Sequence, residues 1–316
     1  MPQRERWGRP YPDDRDWGIY NELLVKRGEF FLSLDFIDQW DDQLARMNAG
    51  KPGRPFQYPE SFIEWMARIH GFFQMPYRQM EGFVRKLATF IPGIKVADYT
   101  TLFRRMKSLA LSLNVTPAIL AEDVIVAADS TGIKVTNRGE GMREKWRIRR
   151  GWIKLHIMID VETNQVLGLE ITDESVPDDR MFIPLLDQAQ QYGSEEHPVY
   201  RVLADGAYDR NELFNTLEQR RITSGIKTRV DAATHSTGSP YRAECVRDRN
   251  RWGGYPMWSR VVTYGMRWKV EGFFSGFKRI FGERVQATSQ EGMVREIWMK
   301  VNGYNRMMAL AGGQAS

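Results

Sequence analysis

The chain has 316 residues, of which 42% are hydrophobic and 12% aromatic, so it can form one large domain or two modest ones with a substantial core. The formal net charge is +5 and the pI is about 9.2, so the placement of the cations matters more than their excess. The single cysteine, Cys245, excludes an internal disulfide and a cysteine-based zinc site, and no apolar segment has the length of a membrane span. We therefore expect a soluble protein of a reducing compartment, without a signal peptide.

The first third of the chain predicts a polar arm followed by helices. Residues 1–18 carry Arg, Asp and Trp without an apolar run, and we expect them to form a flexible arm. Residues 19–115 are expected to be helical, because apolar residues recur at helical spacing between breaks rich in proline and glycine. The predicted helices cover residues 20–47 (as one or two helices), 59–73, 77–90 and 99–113.

The last three of these helices are separated by short turns, as in a helix-turn-helix unit whose final helix enters the major groove of DNA. That final helix carries Arg104, Arg105 and Lys107, which we assign as candidate DNA contacts. The alternative is a helical packing domain with an ordinary basic face. Both interpretations use the same helices, so the sequence leaves them open.

The pattern changes at Val124, where a short apolar run predicts a buried strand. Further strands are predicted at 152–159, 166–171, 200–204 and 225–228, and helices at 178–191 and 211–221. A stretch rich in Pro, Gly and Arg then reaches Arg260, and two more helices follow it. This order predicts an α/β domain at residues 120–316, with a mixed five-stranded sheet and flanking helices.

Two acidic residues directly follow apolar strands. Asp129 comes after the first strand and Asp205 after the fourth, and each precedes small residues that allow a ligand to approach closely. Because sites in open α/β sheets gather at the carboxyl ends of strands, we expect both carboxylates at one edge of the sheet. Each acid, taken alone, would also fit a turn or a helix cap.

A third acid, Glu271, lies in a segment that predicts a helix with one polar face. Tyr264, Arg267, Glu271 and Lys278 stand at offsets 0, 3, 7 and 14, within an arc of about 60° on an α-helix. Three carboxylates brought together favour Mg²⁺ or Mn²⁺, because a cation offsets their mutual repulsion. Two such ions about 3.5–4 Å apart can support an in-line phosphoryl transfer. The alternative is an ordinary amphipathic helix with a solvated face.

Four cations alternate between the first two predicted strands. Arg143, Lys145, Arg147 and Arg149 would lie on one face of an extended segment. We interpret them as a track for the DNA backbone. The alternative is a solvated β-ribbon.

These motifs resemble those of the DDE transposases of bacterial insertion sequences, and most closely the insertion sequence 5 family within the insertion sequence 4 superfamily. The resemblance covers roughly residues 20–310 and is carried by residues 128–132, 152–160 and 204–209 and by Tyr264-x2-Arg267-x3-Glu271-x6-Lys278. It implies an RNase H-like catalytic domain, with the helix-turn-helix-like region in front of it.

The resemblance also implies roles for particular residues. Asp129, Asp205 and Glu271 would be the catalytic acids that bind two Mg²⁺ or Mn²⁺ ions, and Tyr264, Arg267 and Lys278 would contact the DNA end. The implied activity is cleavage at terminal inverted repeats followed by strand transfer into target DNA. Because cutting and joining two ends requires two active sites held together, we expect a homodimer in the DNA complex.

The expected protein is therefore cytoplasmic, in a bacterium or archaeon, and associated with the nucleoid, without a membrane or a small-molecule cofactor. Two alternatives stay open: a metal-dependent DNA nuclease without strand transfer, and a domesticated sequence-specific DNA-binding protein.

Overall fold

The computed structural model describes residues 4–6, 9–11, 16–29, 31, 33–135, 151–193 and 197–312. The N-terminal part has helices α1 (Trp17–Glu29), α2 (Trp40–Asn48), α3 (Glu60–Phe73), α4 (Tyr77–Leu87) and α5 (Tyr99–Lys107). Two short strands, β1 (Arg4–Arg6) and β2 (Arg9–Tyr11), pair antiparallel within the segment that we expect to be an arm. The helical character of this region follows the predicted breaks closely.

Helix α3 is the centre of the N-terminal core. Its apolar side chains, including Trp65 and Met66, are buried against Met80 of α4 and Leu102 of α5. The predicted last helix of this region is too long, since α5 ends at Lys107 rather than near residue 113. Beyond the helix, Asn302 binds the extended backbone, accepting from the N–H of Asn114 at 2.9 Å and donating to the carbonyl of Ser112 at 2.8 Å.

The C-terminal part is a mixed sheet with helices on both faces. Its elements in chain order are β3 (Val124–Val135), β4 (Trp152–Asp160), β5 (Val166–Asp173), α6 (Asp178–Tyr192), β6 (Val199–Ala204), α7 (Asn211–Gln219), β7 (Thr223–Ile226), α8 (Pro240–Arg251), α9 (Tyr255–Val261), α10 (Trp268–Phe281), β8 (Arg284–Val285) and α11 (Gln290–Gly312). The main strands run in the order β5-β4-β3-β6-β7, and β4 is antiparallel to both of its neighbours, whereas β6 and β7 are parallel to β3. The prediction of an α/β, RNase H-like domain is confirmed.

Within the described residues, the sheet has six strands rather than the predicted five. The additional strand, β8, pairs parallel with the far end of β3 through Lys134 and Val135. It has only two residues, so its sequence carries no alternating pattern that could predict it.

Alternation along β3 divides the sheet between two cores. Ala127 and Ile133 face α10 and α11, where Phe273 and Phe277 belong to the same cluster. Val126 and Ala128 face α6 and α7 on the other side. Asp129 therefore lies on the α10 face, and its neighbour Ser130 lies on the α6 face.

The sequence suggested that Asp129 follows the end of its strand, but the strand continues past it to Val135. Pairing of β3 with β4 continues to Lys134 opposite Trp152, while pairing with β6 ends at Ala127 opposite Leu203. Strand β3 therefore extends beyond the carboxyl end of β6. Asp129 lies at the point where β6 stops, so the edge predicted for the site is retained.

Two further predictions about the segment before Lys278 are wrong. The stretch rich in Pro, Gly and Arg contains helices α8 and α9, each of which has a proline in its first turn, Pro240 and Pro256. The single helix expected from Tyr264 begins instead as a 3₁₀ turn, Tyr264–Arg267, and becomes α-helical at Trp268. Among the described residues, no helix is long and apolar enough to cross a membrane.

Candidate active site

The two predicted strand-end acids are level with each other in the sheet. Ala127 of β3 stands opposite Leu203 of β6, so Asp129 and Asp205 each follow two residues later on parallel chains. Ala127 and Leu203 belong to the core cluster on the α10 face, and alternation directs the two acids to that same face. The sheet register thus brings together two residues that are 76 positions apart in the sequence.

Arg267 joins the third acid to this pair. Its guanidinium lies 3.3 Å from Oδ2 of Asp129 and also contacts the carboxylate of Glu271, one helical turn further along α10. Helix α10 is held over β3 by Val270, Phe273 and the other apolar residues of its opposite side. The structure therefore places Glu271 and Arg267 at the edge where Asp129 lies.

The electrostatics of Asp129 indicate a carboxylate surrounded by other charges. Burial raises its pKa, and the charges of Asp205 and Glu271 raise it further. The backbone N–H of Ser130, which donates to Oδ1 at 2.8 Å, and the charge of Arg267 act in the opposite direction, but the net pKa is raised. The protein thus holds at this point a negative charge that it does not fully neutralise.

Asp205 is oriented by the turn that follows it. Its Oδ1 accepts a hydrogen bond from the backbone N–H of Ala207 at 2.8 Å, so it caps the 3₁₀ turn Gly206–Tyr208. A Cβ atom at Gly206 would lie 3.5 Å from the carbonyl oxygen of Lys227, so this turn lies beside the residue that follows β7.

The donor set fits a hard divalent cation. Asp129, Asp205 and Glu271 offer only carboxylate oxygens, the ligands that Mg²⁺ and Mn²⁺ prefer, and the raised pKa of Asp129 is the perturbation that a bound cation would remove. In the described part of the chain, no three acidic, histidine or cysteine side chains stand close enough together to hold a metal ion as they are. The guanidinium of Arg267 contacts two of the three acids instead.

Lys278 and Tyr264 flank the acids. Lys278 donates to Oγ1 of Thr131 at 2.7 Å, and Thr131 lies on the same face of β3 as Asp129. Tyr264 packs against Trp258, with ring centroids 5.1 Å apart, and burial raises the pKa of its hydroxyl. The guanidinium of Arg267 lies 5.9 Å from the Tyr264 ring centroid. All four residues of the predicted stripe are therefore gathered here, although Tyr264 precedes the α-helix.

A polar network on the opposite face of β3 was missed by sequence reasoning. Lys154 and His156 of β4 lie 2.8 Å and 3.2 Å from Oδ1 of Asp178, and His156 also contacts Oγ1 of Thr172 at 2.9 Å. Burial alone would raise the pKa of Asp178, but hydrogen bonds from His156, Lys154 and Ser130 lower it strongly. The signal was the alternation of Lys154 and His156 along a strand, which puts both on one face.

Tyr208 reaches the same region. Its side chain is fully buried, and among the described residues its hydroxyl has no hydrogen-bond partner. Burial raises the pKa of this hydroxyl, as do the charges of Asp178, Asp129 and Asp205.

The remaining predicted DNA contacts have different surroundings. Arg104 is exposed on α5, whereas Arg105 donates to the carbonyl of Tyr58 at 3.2 Å and Lys107 forms an ion pair with Glu291 at 3.0 Å. Arg143, Lys145, Arg147 and Arg149 lie outside the described residues.

Comparison with known proteins gives a family. The model of the transposase DDE domain matches residues 120–306, and a second model with the same description matches residues 25–138.

Solved structures give only remote likenesses. The Drosophila P element transposase strand transfer complex is 11% identical with a TM-score of 0.34, over 62% of this chain and 47% of that chain. The piggyBac transposase synaptic complex with hairpin DNA is 10% identical with a TM-score of 0.40, over 90% and 74%. The simian T-cell lymphotropic virus intasome in complex with PP2A regulatory subunit B56 gamma is 14% identical with a TM-score of 0.27, over 65% of each chain.

The present chain thus spans about half the length of the P element transposase chain that it matches. The first family match, in contrast, covers more than half of the present chain and includes Asp129, Asp205 and Glu271. The chain therefore belongs to the DDE-domain transposase family.

Proposed function

We propose that this transposase belongs to the insertion sequence 5 family, binds the terminal inverted repeats of its element, cleaves the element ends and joins them to target DNA. One observation carries the proposal. Asp129 and Asp205 are level on parallel strands, and Arg267 contacts both Asp129 and Glu271. Acids from two strands and one helix thus lie near the guanidinium of Arg267, a group that can bind a phosphate.

The roles of the residues follow from their placement. Asp129, Asp205 and Glu271 would hold two Mg²⁺ or Mn²⁺ ions, which supply activation of the attacking hydroxyl and stabilisation of the leaving oxygen. Arg267 would exchange its carboxylate contacts for the scissile phosphodiester, because a guanidinium binds phosphate in the same two-pronged geometry. Lys278 would contact a neighbouring phosphate, with Thr131 holding its ammonium in place.

The helical N-terminal region would supply recognition of the repeat. Helix α5 is capped by Asp98, which accepts from the N–H groups of Thr100 and Thr101, and Glu81 of α4 accepts from the N–H of Tyr99. These bonds fix the start of α5 relative to α4, as a recognition helix needs. Among the predicted contacts on this helix, Arg104 and Lys107 are exposed, and Lys107 forms an ion pair with Glu291.

Joining two element ends requires two active sites, so the working unit would be a homodimer on double-stranded DNA. We place the protein in the bacterial or archaeal cytoplasm at the nucleoid, where its substrate lies, and no small-molecule cofactor is needed for this chemistry.

The test is a paired-end assay with purified protein, Mg²⁺ and duplexes that carry the inverted repeats flanking the gene. Wild type should cleave and join, and Asp129→Asn should lose both activities by at least about a hundredfold, since the metal-binding acid is gone. Asp123→Asn is the matched control, because Asp123 is an exposed acid at the opposite end of β3.

Other outcomes would change the proposal. Cleavage without joining would favour a metal-dependent nuclease, and binding of the repeats without cleavage would favour a DNA-binding protein that has lost catalysis. Full activity of Asp129→Asn would remove Asp129 from the site.

A further inference from the structure

Arg249 is a buried arginine that binds a loop rather than an acid. Only 7% of its surface is exposed, and among the described residues no carboxylate forms an ion pair with it. Its guanidinium donates to Oγ1 of Thr228 at 2.9 Å, to the carbonyl of Arg229 at 2.7 Å and to the carbonyl of Val230 at 3.2 Å. Burying a charge without a counter-charge is unfavourable unless it is hydrogen-bonded, so the oxygens of residues 228–230 must stay in place around the guanidinium.

The 227–230 loop is also held from its other side. The backbone N–H of Arg229 donates to Oδ2 of Asp209 at 3.1 Å. Asp209 is itself fixed by Arg242, whose Nε and Nη2 donate to its two oxygens at 2.6 Å and 2.8 Å, and the Asp209 side chain is only 1% exposed. The second aspartate of the Asp205–Asp209 motif therefore anchors this loop instead of contributing to the metal site.

The loop directs its cations outward. Thr228 is buried toward Arg249, so the residues on either side of it, Lys227 and Arg229, point to solvent and are exposed. Val230 at the tip is 91% exposed, so nothing in the described chain covers this surface. Surface loops are ordinarily the mobile part of a domain, whereas this one presents two cations on a fixed backbone.

The loop is continuous with the candidate active site. The N–H of Lys227 donates to the carbonyl of Ala204, the residue before Asp205, at 3.1 Å. The ammonium of Lys227 lies 4.7 Å from the ring centroid of Tyr255, and that ring is 5.9 Å from the ring of Tyr264. A row of cations and aromatic rings therefore runs from the loop to Arg267, which lies beside Tyr264.

We propose that the 227–230 loop is a preformed contact surface for the DNA backbone next to the scissile phosphate, with Lys227 and Arg229 binding phosphates of the strand that passes Asp205. This inference rests on the proposed function, because that function puts a DNA strand at Asp205. Fixing the loop in advance removes the ordering entropy that a mobile loop would lose on binding.

The test is charge reversal at Arg229 with a matched control on the same strand. Arg229→Glu changes an exposed residue just after β7, and Arg221→Glu changes an exposed residue just before it, at the opposite end of the strand. The probes are a fluorescein-labelled duplex of one terminal inverted repeat and a random-sequence duplex, with anisotropy measured over a range of KCl concentrations. Arg229→Glu should weaken binding of both duplexes about tenfold and make the salt slope shallower by about 1, as expected for one lost phosphate contact. Arg221→Glu should stay within about twofold of wild type.

The outcomes separate this inference from the proposed function. If wild type binds the duplexes and Arg229→Glu behaves like Arg221→Glu, the loop is not a DNA contact, although the transposase proposal stands. If wild type binds neither duplex, the proposed function fails and the inference fails with it.

A second variant examines the fixed shape of the loop. Arg249→Met should increase amide hydrogen exchange in residues 227–231 and weaken DNA binding, while exchange in β3 and β6 stays slow. Unchanged exchange in the loop would refute the role of Arg249. Arg229→Glu alters only an exposed side chain, so it tests the contact even if Arg249→Met fails to fold.

Discussion

Replacing Arg267 with glutamine should increase the affinity of the free protein for divalent cations and at the same time abolish DNA cleavage. The guanidinium lies 3.3 Å from Asp129 and contacts Glu271, so two of the acids assigned to the metal site already face a cation. A divalent ion must displace that guanidinium from both acids. When DNA is bound, a phosphate can replace the two carboxylates as the partner of the guanidinium. We therefore expect metal and DNA to bind cooperatively.

The magnitude follows from the exposure of the two contacts. The Glu271 side chain is 57% exposed, so its pairing with Arg267 contributes about 0.5 kcal/mol. The contact with Asp129 is more buried, with side chains 18% and 25% exposed, and such charged hydrogen bonds contribute about 1.5 kcal/mol. Because about 1.4 kcal/mol corresponds to a factor of ten, losing about 2 kcal/mol of competition should raise metal affinity about 10- to 30-fold.

The assay is Mn²⁺ titration of DNA-free protein, with the free ion measured by electron paramagnetic resonance at about pH 8, where carboxyl groups are ionised. Arg279→Gln is the control, since it removes the same charge from an exposed position of α10, about 18 Å from Arg267 along the helix axis. Equal or weaker Mn²⁺ binding by Arg267→Gln than by wild type would refute the reasoning. Retained DNA cleavage would show that the guanidinium does not serve the phosphate.

Three further predictions concern stability. Because burial raises the pKa of Asp129, its ionisation opposes folding, and Asp129→Asn should stabilise the metal-free protein at neutral pH. This gain should disappear below the unfolded pKa of about 3.9, and urea unfolding measured over a range of pH checks it. Lys300→Met should destabilise the fold by about 3–5 kcal/mol, because it leaves the buried carboxylate of Glu296, 2.7 Å from the Lys300 ammonium, without its counter-charge. Gly168→Ala should lower the free energy of unfolding by about 1–3 kcal/mol, because the new Cβ would lie 2.6 Å from the backbone carbonyl oxygen of Leu185.

Each of these has a matched control in the chain. Asp123→Asn should leave the pH profile of stability unchanged, since Asp123 is exposed. Lys86→Met, at an exposed position of α4, should change stability by no more than about 0.5 kcal/mol. Gly82→Ala should stabilise by about 0.5–1 kcal/mol, because nothing lies within 4 Å of the added Cβ and alanine favours the helix. An effect opposite to the one expected for a variant, or an equal effect in the variant and its control, would contradict the corresponding argument.

The strands and helices around the site could be predicted because their local patterns agree with their surroundings. The hairpin of β4 and β5 was recognisable from two apolar runs around a polar turn, and both strands form close to their predicted ranges. The acids were found because each follows an apolar strand or belongs to a spaced motif. What brings Asp129 level with Asp205 is the register of two strands distant in the sequence, and a single chain's pattern does not specify that register.

Other features depend on contacts that have no local signature. Helix α8 has a strongly polar sequence with no clear apolar face, so periodicity could not reveal it, and it is folded by Ser239 capping and by burial of Ala243 and Val246. Arg249 looks like one more cation in a basic stretch, and only the fold shows that it is buried. The ion pair of Lys107 likewise depends on a helix that begins far along the chain, at Gln290.

Strand β3 pairs with β4 from Val126 to Lys134 without a register shift. Each residue of the strand takes its side of the sheet by its count along that run, so Asp129 and Ser130 lie on opposite faces. Deleting one residue between Ile125 and Ala128 would turn the carboxylate of Asp129 toward α6 and the hydroxyl of Ser130 toward α10. We therefore expect this strand to tolerate changes of composition better than changes of length.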